Sequence, residues 1–134
     1  VLLAQAAAAD MRTRGWGRIV NIASIHSVTS RPMIPAYVST KHAINGLTKA
    51  LATELGPHGI TVNAIGPGYF ATEFNAALIA DPKFDAMVKA RTPVGRWGDP
   101  AEIGGTIVYL ASDAAAYVNG HLLVIDGGMT TSLY

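Results

Sequence analysis

Ile60-Thr61-Val62-Asn63-Ala64-Ile65, closed by Gly66-Pro67, reads as a short buried strand. A run rich in Val and Ile between chain breakers suits a parallel sheet covered by helices on both faces. Working outward, Ala36 to about Leu55 places Ile44, Leu47, Leu51 and Leu55 on one helical stripe and stops at Gly56-Pro57. Gly17-Arg18-Ile19-Val20-Asn21-Ile22-Ala23 precedes that helix as a second β-rich run, and His121-Leu122-Leu123-Val124-Ile125-Asp126 is a third. Between the second and third strands, Asp99 to about Leu110 reads as a helix. Asp99 is its N-cap, Pro100 stands at N1, Glu102 at N3, and Ile103, Ile107 and Leu110 form its apolar face. Strands alternating with helices of this length predict right-handed crossovers and an α/β fold with a parallel sheet. Thr72 to Arg91 predicts a helical excursion from the carboxyl end of the second strand, where open parallel sheets bind ligands. Segment 72–98 is therefore expected to be a substrate lid within a single domain, residues 1–134. The alternative is an element that only packs on its neighbour.

The 134 residues allow one domain and one core. Half are apolar and 14% are charged, too apolar a balance for disorder. Ten Lys/Arg against nine Asp/Glu leave a net charge of +1 with no basic run, which argues against a nucleic-acid partner. There is no cysteine, so a disulfide framework or thiolate metal site is excluded. His26, His42, His58 and His121 show no metal-ligand spacing, and no metal is expected. No stretch approaches the roughly 20 apolar residues of a membrane span, so a cytoplasmic location away from membranes is expected. Val1 to Ala9 is apolar like part of a signal peptide, but it runs straight into Asp10, Arg12 and Arg14 with no basic segment before it. It reads better as the back half of a helix. Leu133-Tyr134, after the compact Asp126-Gly127-Gly128 turn, reads as a terminus, and the chain is expected to be the C-terminal part of a larger domain.

Tyr37 and Lys41 stand four apart near the start of the long helix and project from one face. Ser24 lies thirteen positions before Tyr37, just past a strand, where a loop can fold its hydroxyl back beside the phenol. Hydride transfer between a nicotinamide and an alcohol or carbonyl needs such a trio. One group must take or give the hydroxyl proton, and another must hold the oxygen as charge moves. A phenol ionises near pH 10 in water, so a phenolate base near neutrality needs about 4 kcal/mol of help. An ammonium about 4 Å away at an effective dielectric of 20 supplies roughly that amount. Lysine offers a compact charge on a long stem.

Val20-Asn21-Ile22-Ala23-Ser24, Tyr37-Val38-Ser39-Thr40-Lys41, Val62-Asn63-Ala64-Ile65-Gly66-Pro67-Gly68 through Thr72, and Tyr117-Val118-Asn119-Gly120-His121 running to Asp126-Gly127-Gly128 occur in this order across the chain. Together they resemble the short-chain dehydrogenase/reductase family. The resemblance implies the C-terminal half of a Rossmann-like doubly wound parallel sheet, three strands with flanking helices, without the N-terminal nucleotide-binding half. It implies an oxidoreductase using NAD or NADP on a secondary alcohol or ketone. Ser24, Tyr37 and Lys41 are its implied catalytic residues, with Lys41 also bonding the nicotinamide ribose. Tyr37, Lys41, Ile65, Pro67, Gly68 and Thr72 are the implied cofactor contacts, and Ser24, His26, Tyr37 and Tyr69 the implied substrate contacts. Gly66-Pro67-Gly68-Tyr69-Phe70-Ala71-Thr72-Glu73, Arg96-Trp97-Gly98 and Val118-Asn119-Gly120-His121 look most like the gluconate 5-dehydrogenase branch, which handles sugar acids. The family's Gly-rich turn, the residue choosing NAD over NADP, and a catalytic Asn would all fall before Val1. The likeness also implies a homo-oligomer, dimer or tetramer, formed through the first and long helices and through the last strand and tail.

Gly66 to Ala71 also matches the dinucleotide fingerprint between a strand and a helix. Pro67 removes a backbone donor, however, and Tyr69 and Phe70 are too bulky for close phosphate approach. Asn63 and Asn119 read as loop braces, and Arg31 as a solvated charge that could instead pair a substrate carboxylate. Reduction of 3-oxoacyl thioesters is the alternative reaction, since the same trio serves it. From a different class, the chain could be a truncated non-catalytic fragment or association module, because Gly17–Ala23 would present an unpaired edge. A mononucleotide binder using Gly66 to Ala71 would leave Tyr37 uninvolved.

Overall fold

The computed structural model describes residues 1–131. Its elements run α1 (Leu2–Arg14), β1 (Gly17–Ile22), α2 (Pro35–Leu55), β2 (Ile60–Pro67), α3 (Ala76–Ala80), α4 (Pro82–Arg91), α5 (Glu102–Ala111) and β3 (Leu122–Ile125). Among the described residues the three strands form one parallel sheet in the order β1-β2-β3. Gly17 to Ile22 pair with Ile60 to Ile65, and Ala64 to Pro67 pair with Leu122 to Ile125. This is the α/β class expected from the alternating strands and helices. The Leu133-Tyr134 tail expected to share in association lies outside the described residues. No helix of the described residues is long and apolar enough to cross a membrane.

β2 is central and buried along almost its whole length, and its alternation divides the core. Ile60 and Val62 face α1 and α2, packing with Ala8, Ala52 and Leu55. Ile65 faces the other way, against Leu110 of α5 and Ala115. The buried face of α2 is Thr48, Ala52 and Leu55: of the expected Ile44, Leu47, Leu51 and Leu55 stripe, Leu55 is fully buried and Leu51 packs against this core, while Ile44 and Leu47 are only half-buried. Small residues let α2 approach the sheet closely, and Thr48 is polar but satisfied: it accepts from Asn21 Nδ2 at 2.9 Å and donates to Ile44 O at 2.8 Å. Leu47 and Leu51 also flank a groove shared with Val1, Ala4 and Ala8 of the α1 region.

α5 is shorter than expected at its start, yet its entry chemistry is the expected one. Asp99 Oδ1 accepts from Ala101 N at 2.9 Å, while Glu102 Oε2 accepts from Asp99 N at 2.7 Å, a reciprocal capping arrangement. Ile103 and Leu110 pack inward as expected, but Ile107 stays exposed beside Val108 and Tyr109. The two asparagines brace loops. Asn63 donates to Val118 O at 2.8 Å and accepts from His121 N at 3.0 Å; Asn119 accepts from Val62 N at 2.8 Å and donates to Ala52 O at 3.0 Å. Four backbone groups are thus satisfied, and the loop leading into β3 is tied to β2 and α2.

The excursion after β2 starts and ends at one point. Phe70 and Gly98 form a bridge, with Ala71 N donating to Gly98 O and Gly98 N to Tyr69 O, both at 2.9 Å. α3 and α4 lie between these pinned ends. Asp81 caps α4 through Lys83 N, and Trp97 Nε1 donates to Asp85 Oδ1 at 2.8 Å. Tyr69 meets Phe84 and Trp97 edge-on, with ring centres 5.7 and 5.5 Å apart, a preferred geometry for aromatic pairs.

Candidate active site

The site forms where the carboxyl ends of β1 and β2 meet the first turns of α2. Ser24 follows β1 in extended backbone and caps the short turn Ile25–Ser27, its Oγ accepting from His26 N at 3.1 Å. Ser24 as a whole is 6% exposed. As its oxygen is engaged as an acceptor, its own proton remains available to a ligand oxygen. Ser27 Oγ donates to Lys41 O at 2.6 Å and ties this turn to α2.

Lys41 Nζ donates to Ile22 O, the last carbonyl of β1, at 3.0 Å, and lies 5.6 Å from the centre of the Tyr37 ring. Tyr37 is 46% exposed, and the His26 ring meets it edge-on at 6.0 Å between centres. Ser24 and Tyr37 line one cleft of about 350 Å³, walled by Tyr69, Phe74 and Leu78. The sheet thus brings together three side chains that are separated by up to seventeen positions in the chain. Lys41 is not part of the cleft wall; it stands beside the phenol, anchored to the strand.

The loop after β2 borders the same cleft through Gly68 and Tyr69. Gly68 N donates to Ile125 O at 2.9 Å. A Cβ there would meet Asp126 Cβ at 2.7 Å, so the loop can lie this close to the turn after β3 only without a side chain. Pro67 is half-buried as the last residue of β2. Thr72 is half-buried and precedes the turn that carries Phe74 and Asn75 into the cleft, but its own side chain is not on the cleft wall. Ile65 is not brought to the cleft: it is 1% exposed and packed against Leu110 and Ala115, because strand alternation points it towards α5. Gly66 to Ala71 is strand followed by the bridge to Gly98, with Phe70 buried, a poor shape for cradling phosphate.

His26 borders a second compartment of about 250 Å³, lined also by Thr29, Arg31, Tyr69, Arg91 and Thr130. Burial, then the nearby Arg31 and His42 charges, hold His26 below its ordinary range, and its Nδ1 lies 3.2 Å from Thr29 Oγ1. Arg91 was not legible as a site residue. In the last turn of α4 a basic side chain is ordinary complement to the helix dipole, and only the fold carries it to this second compartment. Ile34, Phe74 and Leu78 are likewise cleft residues that sequence spacing does not single out.

A family model described as enoyl-(acyl carrier protein) reductase matches residues 1–130. The chain belongs to the short-chain dehydrogenase/reductase family. Among members of this dehydrogenase family, gluconate 5-dehydrogenase of Gluconobacter oxydans is 49% identical over 129 residues, covering 96% of this chain and 50% of that protein. The 5-keto-D-gluconate 5-reductase of Escherichia coli is 45% identical over 132 residues, 98% of this chain and 52% of that one. The crystal structure of a gluconate 5-dehydrogenase from Burkholderia cenocepacia, in complex with NADP and tartrate, matches with a TM-score of 0.94 at 45% identity, over 97% of this chain and 51% of its own. The chain spans about half the length of the curated relatives it matches.

The dehydrogenase family implies a nicotinamide cofactor, and the donor set here fits its nicotinamide-ribose end. The Lys41 ammonium has three N–H donors and uses one on Ile22 O, which leaves donors for ribose hydroxyls beside an exposed phenol.

Proposed function

We propose that this chain carries the catalytic trio of an NAD(P)-dependent dehydrogenase that interconverts a secondary alcohol and a ketone, with a sugar acid of the gluconate/5-ketogluconate kind as substrate. The observation that carries this reading is the shared cleft of Ser24 and Tyr37, with the Lys41 ammonium 5.6 Å from the phenol ring. The cofactor, when bound, accepts or supplies the hydride. Lys41 and Tyr37 would hold its ribose, Pro67 and Gly68 would lie against its nicotinamide, and Thr72 would reach its carboxamide or phosphates.

In the oxidation direction, Ser24 donates its hydroxyl proton to the substrate oxygen and fixes that atom between itself and Tyr37. Tyr37 Oη, as phenolate, takes the hydroxyl proton of the substrate. Lys41 offsets the negative charge on the phenol, and Ile22 O keeps the ammonium from swinging away. In reduction the phenol returns the proton to the nascent alkoxide. Segment 72–98 contributes Phe74 and Leu78 as apolar residues on the border of the cleft. The sugar-acid assignment rests on the kinship with gluconate 5-dehydrogenases and on the arginines near the cleft; tartrate, a hydroxy acid, is held by the Burkholderia relative. The α1–α2 groove with Leu47 and Leu51 is the surface proposed for homo-oligomer formation.

The test is Tyr37→Phe in the protein at its full natural length. NAD(P)H fluorescence should report cofactor binding within a few-fold of the parent, while turnover of gluconate falls at least about 1000-fold, within the range general acid–base catalysis supplies. Undiminished turnover would remove the phenol from the mechanism. Turnover of 3-oxoacyl thioesters in place of gluconate would reassign the substrate.

A further inference from the structure

The catalytic cleft and the second compartment are contiguous: both are bordered by Ile25, His26, Arg31 and Tyr69. Ser24 and Tyr37 lie at one end only, and Arg91 at the other end only. The far end is a distinct chemical environment. Its apolar floor is Ile25, Met87 and Met129, and its polar rim is Thr29, Ser30 and Thr130 with the two guanidiniums. Five other cations, Arg12, Arg14, Arg18, Lys89 and Arg96, pair with carboxylates, whereas Arg31 and Arg91 have no carboxylate of the described residues within 4 Å. The neighbouring acids are already engaged: Asp85 with Lys89 and Trp97, Asp126 with Gly128 N and Thr130 N. Two cations without carboxylate partners on the rim of one compartment make a positive field there. His26 responds to it, since the Arg31 charge is one of the causes that hold it below its ordinary range.

We propose that Arg31 and Arg91 together bind the substrate carboxylate, so that they select acidic polyols over neutral ones. This deepens the hydride-transfer reading, on which it rests for the position of the reacting carbon. Guanidinium forks match a carboxylate in a way a lysine does not. The two residues come from different parts of the fold, Arg31 from the loop before α2 and Arg91 from the end of α4. A carboxylate bridging them joins the 72–98 excursion to the sheet and fixes the distance between the acid group and the carbon held by Ser24 and Tyr37. His26 borders both ends and offers its ring nitrogens to the intervening hydroxyls.

The test uses the protein at its full natural length, with D-gluconate and D-sorbitol as probes differing in the carboxylate. Calorimetry measures binding of each probe to the parent, Arg31→Gln and Arg91→Gln, and initial rates measure kcat and KM. The expected result is tighter parental binding of gluconate than of sorbitol, and a roughly 10- to 100-fold weakening of gluconate in each variant, the size of a lost charge-assisted hydrogen bond. Sorbitol binding and kcat should stay within about threefold. Arg91→Lys, which keeps the charge without the fork, should recover part of the gluconate affinity and guards against simple misfolding. No preference for gluconate in the parent, or equal weakening of both probes in the variants, overturns the proposal. Arginine-dependent gluconate binding without turnover of any secondary alcohol would leave the carboxylate site standing and sink the hydride-transfer reading. Turnover with an arginine-independent preference would do the reverse.

Discussion

Replacing Lys41 by Met isolates the electrostatic part of the mechanism, because methionine keeps an unbranched stem and removes only the charge and its donors. In the structure the ammonium lies 5.6 Å from the centre of the Tyr37 ring. Taking the ring centre as the mean position of a charge delocalised over oxygen and ring, two unit charges at that separation interact by about 3 kcal/mol at an effective dielectric of about 20. If the whole interaction is felt in the transition state, its loss corresponds to a rate decrease on the order of 100-fold. The same substitution deletes the donor to Ile22 O, but that bond is at the exposed end of β1 and adds little to stability. The assay is kcat/KM for alcohol oxidation by the full-length protein at fixed pH, alongside thermal unfolding. The expected outcome is a roughly 100-fold drop with an unfolding midpoint close to the parent's. Lys41→Arg, which retains charge but spreads it over a planar group, should fall between the two. A loss smaller than about threefold in a folded Lys41→Met protein would refute the argument that the ammonium acts through the phenol.

Two further outcomes follow from geometry away from the trio. Gly68→Ala places a Cβ 2.7 Å from that of Asp126, so the loop after β2 must move; activity should fall at least tenfold and cofactor affinity with it, and parental kinetics would show that the loop does not border the cofactor. Glu102 receives a bidentate pair of bonds from Arg96, at 2.7 and 2.8 Å, which with the Asp99 N–H holds its carboxyl down to about 2 from an ordinary 4.5. Its contribution to stability is therefore present above pH 4.5 and lost as pH falls towards 2. Glu102→Gln should lower the unfolding midpoint at pH 6 and narrow the gap to the parent by pH 2, whereas a gap constant with pH would overturn that assignment.

Much of this architecture was legible in the linear chain because the deciding signals are local. Val/Ile runs between breakers located all three strands to within two residues of their observed ends. Asp99 and Glu102 announced the entry to α5, since a capping arrangement spans only a few positions. Tyr37 and Lys41 share a face because helical periodicity puts them there. The expected stripe on α2 is only in part the buried one, for an equally physical reason: Leu55 and Leu51 do pack on the core, but beside them the helix buries Thr48 and Ala52 rather than Ile44 and Leu47, and Asn21 makes a buried hydroxyl acceptable.

By itself, then, the order of residues determined the three strands, their parallel connection and the shared helix face of Tyr37 and Lys41, since these depend on spacing within an element or on the length of the helix between strands. Folding alone decided that Ile65 belongs to the α5 side of the core, and that Arg91 from a distant helix end joins Arg31 beside His26. Those outcomes depend on which faces meet across long separations in the chain. No local pattern encodes such a meeting, because it is set by the packing of whole elements against one another.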